Sequence, residues 1–177
     1  MRFAFIDATP LRADEVRRIA PALDLELASL PTGSSAASPD PALVARGQVL
    51  AFASAHGDVA CVAEATDLLT TDGKSLRLEL DSENARRFCR HWRETPARLH
   101  LCVALRRLGS DHVEVFTATC DGTIAEKPAG PEELGWDRLF VPDGETLTLA
   151  QLVERGNVAG PRPGAYSALS TALAAAP

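Results

Sequence analysis

At 177 residues, with 46% hydrophobic and 24% charged positions, the chain is long enough to bury one core without disulfide or metal staples, and its composition excludes a disordered protein. A net charge of −6 excludes a protein whose main business is gripping a polyphosphate backbone, so no nucleic-acid partner is expected, whereas a small phosphorylated ligand is compatible with it. No apolar run of about 18 residues is present to span a bilayer, and the opening MRFAFIDATP turns acidic too soon for a signal peptide; the expectation is a cytoplasmic protein with no membrane partner.

RFAFID alternates as a strand, and Thr9-Pro10 before LRADEVRRIAPAL reads as an N-cap, a proline in the first turn and an amphipathic helix. Asp14, Glu15, Arg17 and Arg18 read as its solvated face. LELASL predicts a second strand, and PTGSSAASPD a loop of small polar residues able to cover a cleft. PALVARGQVLAFASAH predicts a helix opened by Ser38 or Asp40, and DVACVAEA a buried strand ending in an acid. DSENARRFCRHWRET predicts a helix capped by Asp81 or Ser82, with Phe88 and Trp92 on its buried face and Arg86, Arg87, Arg90 and Arg93 around the rest.

RLHLCVALRRL and DHVEVFTATC, joined at Gly109-Ser110, and then TIAEK read as antiparallel neighbours. PAGPEEL reads as turn and loop, RLFV as a short apolar strand, PDG as a turn, and GAYSALSTALAAA as a closing helix. Cys61, Cys89, Cys102 and Cys120 form no CxxC pair and read as reduced, mostly buried thiols. The four histidines are scattered without a nucleophile–base spacing.

This order predicts an α/β fold: a mixed, twisted central sheet with flanking helices, expected as one domain over 1–177. In such sheets ligands lie beyond strand ends, where loops and helix N-termini converge. Four places qualify: Thr9 to Arg12, Glu64 to Asp67, Trp136 with Asp137, and Arg162 ahead of the last helix.

GWDRLFVPDG, followed by TLTLAQL, GN and an arginine before a helix, resembles the C-terminal half of the Ham1 family, the inosine triphosphate pyrophosphatases. FIDATPLRADEV resembles that family's Thr-Gly-Asn-x-x-Lys-x-x-Glu opening, VAEATDLL its Glu-Asp-Thr-Gly-Leu core, and FTATCDGTI its glycine-containing strand pair. The resemblance implies a cleft between two lobes, a homodimer, a nucleoside triphosphate partner and Mg²⁺. It also implies that Thr9 and Arg12 contact phosphate, that Trp136 stacks on a base whose edge Asp137 addresses with Arg162 as a further donor to a base oxygen, and that Thr66 and Asn157 belong to the substrate site.

This chain departs from the pattern at several positions. The family's catalytic Asp falls on Ala65, its metal-binding Glu on Thr32, its Lys on Gly156 and its Ser-His on Gly160-Pro161. Its Pro-Gly loop is replaced by TTDGKSLRLEL. Water attack on an α-phosphorus needs the phosphate charge neutralised and a carboxylate for the metal or the water proton. Glu64 and Asp67 are the catalytic and metal candidates, provided that a turn at Thr66 brings Asp67 round to Glu64; otherwise Asp67 is a solvated turn acid. Two functions follow: a nucleoside triphosphate pyrophosphatase with reduced or altered activity, or an inactive or repurposed relative that binds a nucleotide or a protein partner.

Overall fold

The computed structural model describes residues 2–31, 38, 40–76 and 82–175, with the backbone alone for Ser82 and Glu83. Thr32, most of the 31–40 loop and the Asp81 cap lie outside the described residues. The described strands form one six-stranded sheet in the order β2-β1-β3-β4-β5-β6. The chain divides into two compact units: residues 1–65, 101–118 and 162–177, and residues 66–100 with 119–161.

The first unit opens with β1 (Arg2–Ile6), α1 (Pro10–Ile19) and β2 (Asp24–Ala28). Thr9 caps α1, with Oγ1 accepting the Arg12 N–H at 3.2 Å, and Pro10 occupies the first helical position, where no donor is needed. The helix stops at Ile19, earlier than its pattern suggests, because Pro21 has no N–H to continue it. α2 (Pro41–His56) starts at Asp40, whose carboxylate accepts the Ala42 N–H at 2.9 Å. β1 pairs in parallel with β2 and with β3 (Cys61–Thr70), so both connections are helical crossovers.

Alternation along these strands sorts the core into two layers. Phe3, Phe5 and Val62, with Leu101, Val103 and Leu105 of β4 (Pro96–Arg106), pack against α1 and against α5 (Arg162–Ala174) through Val16, Tyr166 and Leu169. Ile6, Cys61, Ala63 and Ala104 pack on the opposite face with Ala45, Val49 and Phe52 of α2. β5 (Val113–Ile124) follows β4 after six residues, too few for a crossover, so the pair is antiparallel. It runs unbroken to Ile124 and takes in Thr123 and Ile124 of the expected TIAEK strand, while Ala125, Glu126 and Lys127 lie outside any strand.

In the second unit β3 continues extended through Thr66 and Asp67 to Thr70, then folds back, with Leu76 N–H donating to Leu68 O at 2.7 Å. The turn at Thr66 on which pairing of Asp67 with Glu64 was conditional does not form: a run of Ala, Thr and Leu with buried positions at Asp67 and Leu68 stays extended. α3 (Ser82–Trp92) buries Ala85, Phe88 and Cys89, keeps Trp92 half-buried, and leaves Arg86, Arg87 and Arg90 exposed. Residues expected as loop form a 3₁₀ helix, Glu132–Arg138. The strand after it, β6 (Phe140–Pro142), is shorter than RLFV suggests and pairs antiparallel with β5.

A helix that the periodicity missed, α4 (Leu149–Glu154), starts at Thr148 with a reciprocal capping box to Gln151. α5 includes Arg162 as its first residue instead of following it. Among the described residues no helix is long and apolar enough to cross a membrane.

Candidate functional site

Of the candidates in the first unit, Arg12, Glu64 and Arg162 meet in one buried ionic cluster, while Thr9 caps α1. α1 supplies Arg12 and Glu15, β3 supplies Glu64, and α5 supplies Arg162 and Tyr166. Glu64 lies on the same strand face as Val62, so it points toward α1 and α5, whereas Ala65 packs with the α2 layer.

Glu64 Oε2 accepts from Arg162 Nε at 3.1 Å and lies 3.7 Å from Arg12 Nε, while Oε1 accepts the Tyr166 hydroxyl at 2.8 Å. Arg12 Nη1 also donates to Glu15 Oε2, which stands 3.7 Å from Arg162 Nε. Two guanidiniums thus face two carboxylates, and the set is formally neutral. Burial pushes the Tyr166 phenol well above its ordinary value, and the neighbouring Glu64 carboxylate adds to the shift. The phenol acts here as a donor to Glu64 Oε1.

Two readings change. Glu15 is fully buried and is not part of a solvated helix face, although Asp14 and Arg17 do pair on the exposed side at 2.7 Å. Its signal was the i, i+3 spacing from Arg12 beside the Ala13–Val16 stripe, together with its match to the last position of the family opening. Tyr166 carried no sequence signal, since a tyrosine in an Ala- and Leu-rich helix reads as core.

Asp67 belongs to the second unit, buried at 3% exposure with Oδ1 accepting the Leu68 N–H at 2.8 Å, so it is not a solvated turn acid. With β3 extended, residues 64 and 67 fall on opposite strand faces, and the turn that would pair them as metal ligands is absent. Thr66 is half-buried in the same strand. No group of three or more His, Cys, Asp or Glu among the described residues has a metal-binding arrangement.

The base-end candidates sit on the 3₁₀ helix, which kinks at Gly135 with φ 55° and ψ −120°, a conformation that favours glycine. That kink re-aims the chain so that Leu134 and Asp137 are buried while Trp136 is half-exposed. The Trp136 ring meets Phe88 edge-on, 5.8 Å between centroids at 69°. Asn157 is exposed just beyond α4, and its backbone N–H closes that helix on Leu152 O at 2.9 Å.

A sequence profile of the Ham1 family matches residues 73–171, more than half of the chain. The chain belongs to the Ham1 family. A dITP/XTP pyrophosphatase of Hyperthermus butylicus is 46% identical over 50 residues, 28% of this chain and 25% of that protein. Another, from Bdellovibrio bacteriovorus, is 53% identical over 38 residues, 22% of this chain and 19% of that protein. The matched segments thus span a quarter or less of these relatives' length. The structure of a HAM1 protein from Coxiella burnetii aligns with 99% of this chain and 100% of its own at a TM-score of 0.66 and 17% identity, which establishes the shared α/β fold.

Proposed function

We propose that this Ham1-family chain is a nucleoside triphosphate pyrophosphatase, releasing pyrophosphate and a nucleoside monophosphate, with activity reduced or altered by its substitutions. The observation that carries the reading is the Gly135–Gly144 stretch, which lies inside the matched region and whose kink at Gly135 presents a half-exposed Trp136 beside a buried Asp137. Relatives that match segments of this chain are named dITP/XTP pyrophosphatases.

In this reading Trp136 stacks on the base, Asp137 addresses its edge, and Asn157 contributes from the exposed end of α4. Thr9 and the first N–H groups of α1 serve the phosphates, since a helix N-terminus attracts anions. Arg12 serves there too, and Arg162, placed beside it in the ionic cluster, joins that end and not the base. Thr66 supplies a hydroxyl. The family resemblance implies Mg²⁺, yet both Glu64 oxygens already accept hydrogen bonds and two guanidiniums lie against Oε2. That carboxylate does not fit a divalent cation as it stands, and no step of the proposed reaction runs through a metal on it.

A catalytically inactive nucleotide-binding relative is the second reading, favoured by Ala65 where the family's catalytic Asp falls. The deciding experiment measures pyrophosphate and monophosphate from a panel of triphosphates, with and without Mg²⁺. Release below the ordinary range, on the order of 1 to 1000 per second, is expected from at least one triphosphate. Nucleotide binding without any release would assign the second reading. The proposal extends to a cytoplasmic homodimer, which light scattering at micromolar concentration tests directly.

A further inference from the structure

We propose that Glu64 is the resident anion of the Arg12–Arg162 pair: it occupies the place a phosphate group of the ligand would take, and it competes with that phosphate instead of recruiting a metal for it. The proposal rests on the reading of this cluster as the phosphate end.

Three observations carry it. Oε2 of Glu64 lies 3.1 Å from Arg162 Nε and 3.7 Å from Arg12 Nε, the arrangement in which paired guanidiniums hold an anionic oxygen. A divalent cation on the same oxygen would meet two positive charges, and the second carboxylate it would need, Asp67, belongs to the other face of β3. Solvent access is graded across the cluster: the Glu64 side chain is 12% exposed, Arg12 9%, Arg162 3% and Glu15 0%. The carboxylate nearest water is therefore the one an incoming anion would displace. Glu15, fully enclosed, keeps the two arginines together while that exchange occurs.

The sign of one substitution separates this from metal recruitment. Glu64→Gln keeps an acceptor for Arg162 but raises the cluster's formal charge from zero to plus one. A single neighbouring charge shifts an ionic equilibrium by roughly one to three tenfold steps. With EDTA present, pyrophosphate titrated calorimetrically into the folded variant should bind about tenfold tighter than to the wild type. Unchanged or weaker binding overturns the proposal.

A second measurement needs no variant. Mn²⁺ alone, added to isotope-labelled wild-type protein, should leave the Ala63 and Ala65 amide signals unbroadened; selective broadening there would make Glu64 a metal ligand and overturn the proposal as well. Neither readout depends on turnover, so a chain that releases no pyrophosphate from triphosphates would defeat the pyrophosphatase reading and leave these two results to decide this one.

Discussion

Trp136 and Tyr166 are both aromatic, yet the structure gives them opposite tasks. Tyr166 is fully enclosed and spends its hydroxyl on Glu64 Oε1, a hydrogen bond to a charged acceptor. Such bonds contribute about 1.5 to 3 kcal/mol, so Tyr166→Phe, which keeps the ring volume, should lower unfolding stability by about that amount in urea titrations. An unchanged midpoint would mean that water takes the hydroxyl's place. Trp136 is half-exposed and meets Phe88 edge-on. Trp136→Ala should therefore weaken nucleotide binding by about 1 to 3 kcal/mol, the range for base stacking, while stability falls less. A variant that unfolds, beside a wild type whose fluorescence ignores nucleotides, would place Trp136 in the core.

At the scale of elements, the second unit is organised where α4 begins. Thr148 there is 3% exposed, donates to Ala129 O at 2.8 Å and accepts the Gln151 N–H at 3.3 Å. Gly130, at φ 94°, lets the preceding loop lie so close that an added Cβ would come 2.8 Å from Ala150 Cβ and 2.9 Å from Gln151 N. Thr148→Ala should cost about 1 kcal/mol as a lost cap. Gly130→Ala should cost more than about 1 kcal/mol, because backbone strain adds to the overlap. Thermal melts of the two variants, ranked in that order, check the assignment.

These same elements mark what the sequence discloses. Thr9-Pro10 and Asp40-Pro41 announced their helices because caps and first-turn prolines are local chemistry. The Thr148–Gln151 box was equally local but heads a helix of six residues, too short to register as a 3.6-residue period. The continuation of β3 through Asp67 was illegible, since an acid in an extended stretch reads as a strand end until tertiary packing overrides it. The candidate site was half legible. Arg12, Glu64 and Arg162 came from the family pattern, whereas their mutual neutralisation depends on α5 folding onto β3 across a sequence separation of 98.

For the molecule as a whole, both units carry groups that burial keeps protonated. Cys61 and Cys102 in the first unit and Cys89 in the second are buried thiols, each pushed by burial from 9.0 to about 11. Cys102 is raised further by the Asp40 charge, while Arg106 and Arg138 pull slightly the other way on Cys61 and Cys89. Tyr166 is raised above its ordinary 10.0 for the same first reason. The sign follows from proton counting. Between pH 9 and about 11 the unfolded chain has released these thiol protons and the folded chain has not, so the unfolded state binds fewer protons and stability falls as pH rises. The tyrosine extends that loss above pH 10. Unfolding temperatures should accordingly decline steadily from pH 8.5 to 11 and recover on back-titration, with the decline reduced in Cys61→Ala and Cys89→Ala variants measured beside the wild type. A wild-type unfolding temperature that holds level across that interval would show that the thiols ionise inside the folded chain without resistance.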